Sequence, residues 1–366
     1  MTTSPADVTV VTVSWEGLDL TLACLDGLRA QELGDVRMDV VVVDNGSTDG
    51  TAARVAELHP WVRVVRSEVN LGFAGGNDLA LREVRTPAVI LLNNDATPEP
   101  GFVRAFVTAL READEQVAAM AATVLLAEHF RPATPDDEPA SVVNGPDGTW
   151  VADPDGPVRL VNSTGNEVRT DGFGVDRGWL ADARTHAPAA AVFGFSGAAA
   201  ILRTAALLDV GYFDERLFMY YEDTDLSWRL RLAGYRVEHA PGAVVSHVHA
   251  ASSREGSDFF RFHDARNRLA ITTKNATARF ALRVWGAFVL TTASVALRRR
   301  QPWRVVRTRL RALASCVTLL PHLLSERRRV GRRAVVPRSA VEALFIAPAV
   351  TGAYRAGTRG PSGATR

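Results

Sequence analysis

Within the first hundred residues, four short runs rich in β-branched side chains (8–14, 38–43, 62–66 and 88–92) alternate with segments of helical periodicity. The runs are nearly continuous in apolar character, as strands covered on both faces must be. Between them Leu18, Leu22, Leu25 and Leu28 fall on one helical stripe, residues 48–58 open with polar capping side chains, and another helix is expected over about 74–84. Strand, helix, strand, helix in this rhythm predicts an α/β fold with a mostly parallel sheet and flanking helices. Ligands of such sheets bind beyond the carboxyl ends of the strands.

Those ends carry the polar residues. The second strand ends in Asp44-Asn45-Gly46-Ser47-Thr48-Asp49 and the fourth in Asn93-Asn94-Asp95. Asp44 is placed to accept hydrogen bonds from a base or ribose, although the stretch also reads as a turn with helix-capping side chains. The turn Asn70-Leu71-Gly72-Phe73-Ala74-Gly75-Gly76-Asn77 could bring backbone N–H groups to a diphosphate. It is not Gly-x-Gly-x-x-Gly after the first strand, so a dinucleotide-binding Rossmann site loses ground. Asp95 either helps hold an oxygen-ligated divalent cation or closes a turn before Pro98 and Pro100.

Further along, residues 128–157 are rich in Pro, Asp and Gly and read as a loop or irregular hairpin, and 158–175 as two short strands around Thr164-Gly165-Asn166. A strand is expected at 198–202. A helix should start near Glu222-Asp223, with Leu226, Leu230 and Ala233 on one face and Gly234 as its stop. Acidic groups at a helix N-terminus stabilise it by ~0.3–1 kcal/mol each, and the same position keeps a carboxylate ionised as a base. His247 and His249 flank Val248 after a strand expected at 243–246, and alternation puts both on one face.

The chain has 366 residues, 47% of them hydrophobic, enough for one large or two modest cores. Its 2 cysteines, Cys24 and Cys316, form no disulfide framework, which suits a reducing cytoplasm. Lys274 is the only lysine, so no Gly-Lys-Ser/Thr phosphate loop exists and Walker-type ATPases and GTPases are excluded. From Lys274 onward there are 19 Lys/Arg and 2 Asp/Glu, a balance of +17; the first 273 residues hold the remaining 23 basic and 39 acidic residues, a balance of −16. An acidic body (1–273) and a basic helical region (274–366) are therefore expected to meet different partners. Met1 to Asp7 has no basic stretch, which argues against a cleaved signal peptide. The longest apolar stretch, 284–297, would be ~21 Å as a helix against a ~30 Å hydrocarbon core.

Taken in order, the segments VVVDNGSTDGT (41–51), NLGFAGGN (70–77), LLNNDATPEPG (91–101), GFSGAAAILR (194–203) and GYFDERLFMYYEDTDLSWRLRLAGY (211–235), preceded by 10–15, resemble the family 2 inverting glycosyltransferases, closest to bacterial rhamnosyltransferase-like members. The resemblance spans roughly residues 8–250. It implies a GT-A fold with a nucleotide-sugar half (1–126), an inserted region (127–192) and an acceptor and catalytic-base half (193–273). It also implies that Asp44 contacts the nucleotide base, that Asp95 ends an Asp-x-Asp-like metal motif completed by His247 and holding Mn²⁺ or Mg²⁺, and that Asp223 is the base acting on the acceptor hydroxyl. Trp15, Asn70, Gly72, Gly76, Asn77 and Asn94 fall on its donor side, and Gly197, Glu222 and Trp228 on its acceptor side. Two departures stand out: Asn93 replaces the first aspartate of the metal motif, and Trp15-Glu16 replaces the more usual Tyr-Asn after the first strand.

On this reading the donor is a nucleotide sugar, dTDP-rhamnose first and UDP-sugars next. The acceptor is a glycan or lipid-linked hydroxyl in cell-envelope polysaccharide synthesis. The basic region is expected to meet an anionic membrane surface at the inner face of the plasma membrane, or to pack on the domain or pair with a second copy. It lacks the interleaved aromatics of a nucleic-acid binder. Two other classes stay open: a non-catalytic nucleotide-sugar or membrane-binding relative, and a nucleotidyltransferase, which would need basic residues around a triphosphate.

Overall fold

The computed structural model describes residues 6–248, 256–298 and 301–348. In chain order the strands and helices are β1 (Val8–Ser14), α1 (Leu18–Arg29), β2 (Met38–Asn45), α2 (Thr51–Leu58), β3 (Arg63–Ser67), α3 (Gly72–Leu81), β4 (Ala88–Leu92), β5 (Ala96–Pro98), α4 (Phe102–Glu112), β6 (Val117–Pro132), β7 (Val142–Asn144), β8 (Thr149–Ala152) and β9 (Val158–Ser163). They continue as β10 (Asn166–Val168), β11 (Gly174–Asp176), β12 (Ala199–Arg203), α5 (Thr204–Val210), α6 (Glu222–Leu232), β13 (Arg236–His247), α7 (Asp258–Asn275), α8 (Ala278–Arg298), α9 (Trp303–Arg333) and α10 (Arg338–Glu342).

The main sheet runs β3-β2-β1-β4-β12-β6-β13-β5. β1 pairs in parallel with β2 and β4, β2 with β3, and β6 with β13, while β12 lies antiparallel between β4 and β6. The mostly parallel α/β expectation is met. Alternation along the strands supplies two cores. Val8, Val10, Val42, Ile90 and Leu92 face α1 and α4, burying Leu25, Leu28, Phe102 and Phe106. Val11, Val43, Val89 and Leu91 face α3, α5 and α6, burying Leu81, Leu207, Leu226 and Leu230. β4 is buried at all five positions, and its end delivers Asn93-Asn94-Asp95 beside the end of β1.

The region 128–176 is more ordered than its composition suggests. β6 continues to Pro132 and pairs with β8 and β9, and β7–β8 form a hairpin. The strands expected to meet around Thr164-Gly165-Asn166 do not pair with each other: β9 joins β6, and β10 turns back onto β11 across residues 169–173. Gly165 at φ +114° passes the chain from one pairing to the next. α6 ends at Leu232, with Gly234 at φ +91° just beyond, as expected for a helix stop.

A third core joins α6 to the C-terminal helices. Trp228 and Leu232 pack with Leu269, Phe280, Phe288, Ala312 and Cys316. The 273/274 boundary where the charge balance changes falls inside α7, and Lys274 is buried. α8 is 21 residues long, well beyond the apolar run 284–297. Among the described residues it is long and apolar enough to cross a membrane. Its inner face buries Phe280, Val284 and Phe288, and Leu282, Leu290 and Leu297 are exposed on the other. α9 runs through Pro321 and lays Val306, Ala312, Cys316 and Leu323 inward.

Candidate active site

A cleft of about 440 Å³ opens beyond the carboxyl ends of β1, β2 and β4, bounded on its other side by β9–β11, the segment 219–224 and the start of α7. Trp15, half exposed, stands at its wall with Asn45, Asn70, Gly72, Asn93, Asn94 and Asp95; Gly197, Glu222 and Asp223 face it from the other half.

The loop after β2 is tied down by its own polar residues. Asp44 Oδ1 accepts the Ser47 N–H (3.0 Å), and Arg66 Nε lies 3.4 Å from Oδ2. Asp49 accepts the Leu18 and Thr51 N–H groups, and Glu16 accepts from Thr48. Asp44 is thus buried beside the cleft, and the side chain that reaches the wall is its neighbour. Asn45 donates to Asn70 Oδ1 (3.1 Å) and the Gly72 carbonyl (3.0 Å) and accepts from the Leu71 N–H (3.0 Å).

The glycine-rich turn has a different use from the one its composition suggested. Gly72 sits at φ +71°, and a Cβ there would lie 2.3 Å from the Phe218 carbonyl oxygen. That carbonyl accepts the Ala74 N–H, and the Gly72 N–H donates to Asn70 Oδ1. At the N-terminus of α3, the Gly72 and Ala74 N–H groups are thus taken by Asn70 and by Phe218 of the other half. Gly76 lets α3 approach β1, since a Cβ would meet Val13 at 2.7 Å. Asn77 is buried and bonds the Phe73 carbonyl (2.9 Å). Both are packing residues of α3 and do not line the cleft. Asn94 reaches the cleft while donating to Thr21 Oγ1 (3.2 Å).

Asp95 and His247 come together. Antiparallel pairing of β5 with β13 sets His247 opposite Ala96, and its Nε2 lies 3.0 Å from Asp95 Oδ1. The Asn162 side-chain carbonyl accepts from His247 Nδ1 (2.7 Å), which turns the Nε2 lone pair toward the carboxylate. Two lone-pair-bearing atoms at 3.0 Å need a shared proton or a cation between them. A hard carboxylate oxygen plus an imidazole suits Mn²⁺ or Mg²⁺ when phosphate oxygens supply the remaining positions. No cluster of three or more His, Cys, Asp or Glu with metal-site geometry occurs among the described residues. His249 lies outside them.

Asp223 opens α6 with its carboxylate held at both oxygens. Oδ2 accepts the Gly197 N–H (3.0 Å) and Asn166 Nδ2 (2.9 Å), and Oδ1 accepts the Thr224 N–H (2.6 Å). Burial pushes its pKa above the ordinary aspartate value and the hydrogen bonds pull it part of the way back, as suits a base. A Cβ at Gly197 would press on the Phe73 ring at 3.0 Å. Glu222 is buried at the cleft wall, and burial together with the charges of Asp223 and Asp225 raises its pKa well above the usual range. Trp228 is not an acceptor contact: it is fully buried one turn further along α6, edge-on to Phe193 and Phe345.

What positions Asp223 was not visible in the motifs. The segment entering α6 holds Phe218, Tyr220 and Tyr221 at φ +65° to +70°, a costly left-handed conformation for non-glycine residues. Asn267 of α7 compensates it, its Nδ2 donating to the carbonyls of Leu217 (2.9 Å), Met219 (2.8 Å) and Tyr220 (2.7 Å). Two residues after Asp223, Asp225 is fully buried and accepts from Arg229 (2.9 Å), Lys274 (2.8 Å) and Asn275 (2.7 Å). Lys274 also bonds Asp214 (2.8 Å), whose carboxyl it holds well below the usual range together with His322 of α9.

The site is a crevice at the strand ends that holds a paired carboxylate and imidazole and an oriented carboxylate at a helix start. The sequence matches the description "Glycosyl transferase family 2" over residues 9–131 and "Glycosyl transferase family group 2" over 167–325. The chain belongs to the family 2 glycosyltransferases, with a GT-A type fold. It is 28% identical over 229 residues to N-acetylglucosaminyl-diphospho-decaprenol L-rhamnosyltransferase of Mycobacterium tuberculosis, covering 59% of this chain and 68% of that protein. It is also 28% identical over 257 residues to the pre-mycofactocin glycosyltransferase of the same organism, covering 69% of this chain and 45% of that protein. The fold resembles the crystal structure of GalNAc-T7 with UDP, GalNAc and Mn²⁺ (TM-score 0.54, 12% identity), over 75% of this chain and about half (49%) of that one.

Proposed function

We propose that this chain is a metal-dependent inverting hexosyltransferase that moves a sugar, rhamnose from dTDP-rhamnose in the first instance, onto a hydroxyl of a glycan or lipid-linked acceptor of the cell envelope. The observation that carries the reading is the Asp223 carboxylate, oriented by Gly197, Asn166 and Thr224 on the cleft that also holds Asp95 and His247. The acceptor hydroxyl gives its proton to Asp223 as its oxygen bonds to C1 of the donor sugar, and the bond from C1 to the diphosphate oxygen breaks. A positioned base contributes ~10²–10⁴-fold. A divalent cation at Asp95 and His247, when bound, supplies charge stabilisation for the leaving diphosphate. That supply matters because no Lys or Arg lines the cleft among the described residues. Trp15 at the rim offers a flat face to the nucleotide base. The similarity to the decaprenol-linked rhamnosyltransferase supports the choice of sugar and acceptor class.

The exposed apolar face of α8 and its flanking arginines fit peripheral attachment to an anionic membrane on the cytoplasmic side, where each charge contributes ~1 kcal/mol near the surface. The test of the transfer reading is Asp223→Asn assayed with dTDP-rhamnose, UDP-sugars and Mn²⁺. Turnover should drop by about 10²–10⁴-fold with nucleotide affinity unchanged; parent-like turnover removes Asp223 as the base.

A further inference from the structure

Two asparagines of the site belong to one turn. Asn162, near the end of β9, bonds His247, and Asn166, the first residue of β10, bonds Asp223. Only Ser163-Thr164-Gly165 separates them, and all five residues are buried. Polar groups of a buried turn must find partners inside the protein.

Arg177, just beyond β11, supplies most of them. Its Nη2 donates to the Thr164 carbonyl (2.9 Å) and its Nε to Thr164 Oγ1 (3.2 Å), while Nη1 donates to the carbonyls of Ala189 and Ala191 (2.9 Å each). The two backbones are paired as well, Thr164 N–H to the Arg177 carbonyl (2.9 Å) and Arg177 N–H to the Gly165 carbonyl (2.8 Å). On the other side Asn166 exchanges both backbone hydrogen bonds with Gly194 (2.7 and 2.9 Å). A Cβ on Gly165 would lie 2.7 Å from the Gly194 carbonyl oxygen, so the turn has no slack there.

In a single displacement the acceptor hydroxyl and the leaving diphosphate stand on opposite sides of C1. The base and the Asp95–His247 pair must therefore keep a fixed separation, and a displacement of about 1 Å can cost ~10²-fold. Along the chain Asp223 and His247 are joined through α6 and the length of β13. The turn joins them through four residues. The Gly197 N–H holds Asp223 Oδ2 independently, so the turn adjusts a carboxylate that is already in place.

We infer that the turn 162–166, clamped by Arg177, is the spacer that sets Asp223 relative to the Asp95–His247 pair, and that Arg177 is a positioning residue for both. The inference rests on the glycosyl-transfer reading and adds to it a residue that hydrogen-bonds neither centre.

The experiment compares variants of the full chain by two readouts: Mn²⁺ affinity in the presence of dTDP or UDP, read by electron paramagnetic resonance, and kcat and KM for donor turnover. Asn166→Ala should lower kcat about tenfold with Mn²⁺ affinity unchanged. Asn162→Ala should weaken Mn²⁺ binding by ~10–100-fold. Arg177→Met should do both, and Arg177→Lys, which keeps the charge and some of the donors, should recover part of each. A turn that merely packs would lower the thermal midpoint of Arg177→Met and leave kcat and Mn²⁺ affinity at parent values; that result, or a change in only one of the two, overturns the spacer. Should Arg177→Met fail to fold, Thr164→Val decides: it removes only the hydroxyl held by Arg177 and His186 and should move both quantities in the same direction, whereas parent-like values overturn the spacer. A parent chain that neither binds Mn²⁺ with nucleotide nor turns over any nucleotide sugar is a distinct result, which strikes the transfer reading and the spacer with it.

Discussion

The two halves of the cleft are secured by different means. On the nucleotide side, Asp44, Asp49 and Glu16 bond backbone groups within the two adjoining loops, and the strands beneath pair in regular parallel register. On the base side, α6 is held by side chains far along the chain: Asn267 grips the loop that enters it, and Lys274, Asn275 and His322 reach its buried carboxylates or their neighbour Asp214. The side built on β1 and β2, the proposed nucleotide side, is thus locally self-sufficient, whereas the Asp223 side depends on the C-terminal helices. A basic region that reads as a separate tail is part of what positions Asp223, the proposed base.

The sharpest way to break this contrast is at the chain's only lysine. Lys274→Met leaves Asp214 and Asp225 buried without their shared cation and should cost about 3 kcal/mol, the low end for a broken buried pair because Arg229 and Asn275 remain. Chemical denaturation would read it. Asp95→Ala should leave stability close to the parent and abolish Mn²⁺-dependent nucleotide affinity, as calorimetry would show. Equal destabilisation by the two changes would erase the distinction between the halves.

Asn267→Ala sharpens the contrast within the base side. Relaxation of the left-handed segment should displace Asp223 and lower kcat by up to ~10²-fold, with the donor KM unchanged and the acid limb of the pH–rate profile shifted. That limb should fall above 3.8 in the parent because burial raises the Asp223 pKa. A loss of stability with parent-like kcat would make Asn267 merely structural.

A pH-dependent effect within the nucleotide side concerns Asp78 of α3, whose carboxyl burial pushes up to about 7. A carboxyl raised in the folded state contributes less as pH climbs from about 4 through 7, because the fold favours its protonated form. Asp78→Asn keeps the acceptor for the Phe213 N–H. It should raise the thermal midpoint by about 2–4 °C per kcal/mol at pH 8 and hardly at all near pH 4. Asp214, held below the usual range, acts in the opposite sense, and its contribution is lost as pH falls.

The difference between the halves also explains what could be read from the residues alone. Alternating apolar runs specify parallel strands, so β1, β2, β4 and the position of Asp95 were legible, as was the helix opening at Glu222-Asp223. Gly76 and Asn77 were misleading: they share the glycine-rich stretch with Gly72, which does line the cleft, but one helical turn further on they pack α3 against β1 and its own first turn. Trp228, placed on the acceptor side by the family resemblance, is turned into the core by helical rotation. Asn267 and Lys274 carried no local signal, since their partners lie some 50 residues away.

The most direct test of the account is the anomeric configuration of the product, read by NMR from whichever nucleotide sugar the chain turns over. One oriented base and one displacement predict a linkage opposite in configuration to the donor. A product that retains the donor's configuration would contradict the assignment of Asp223 and the single-displacement chemistry built on it.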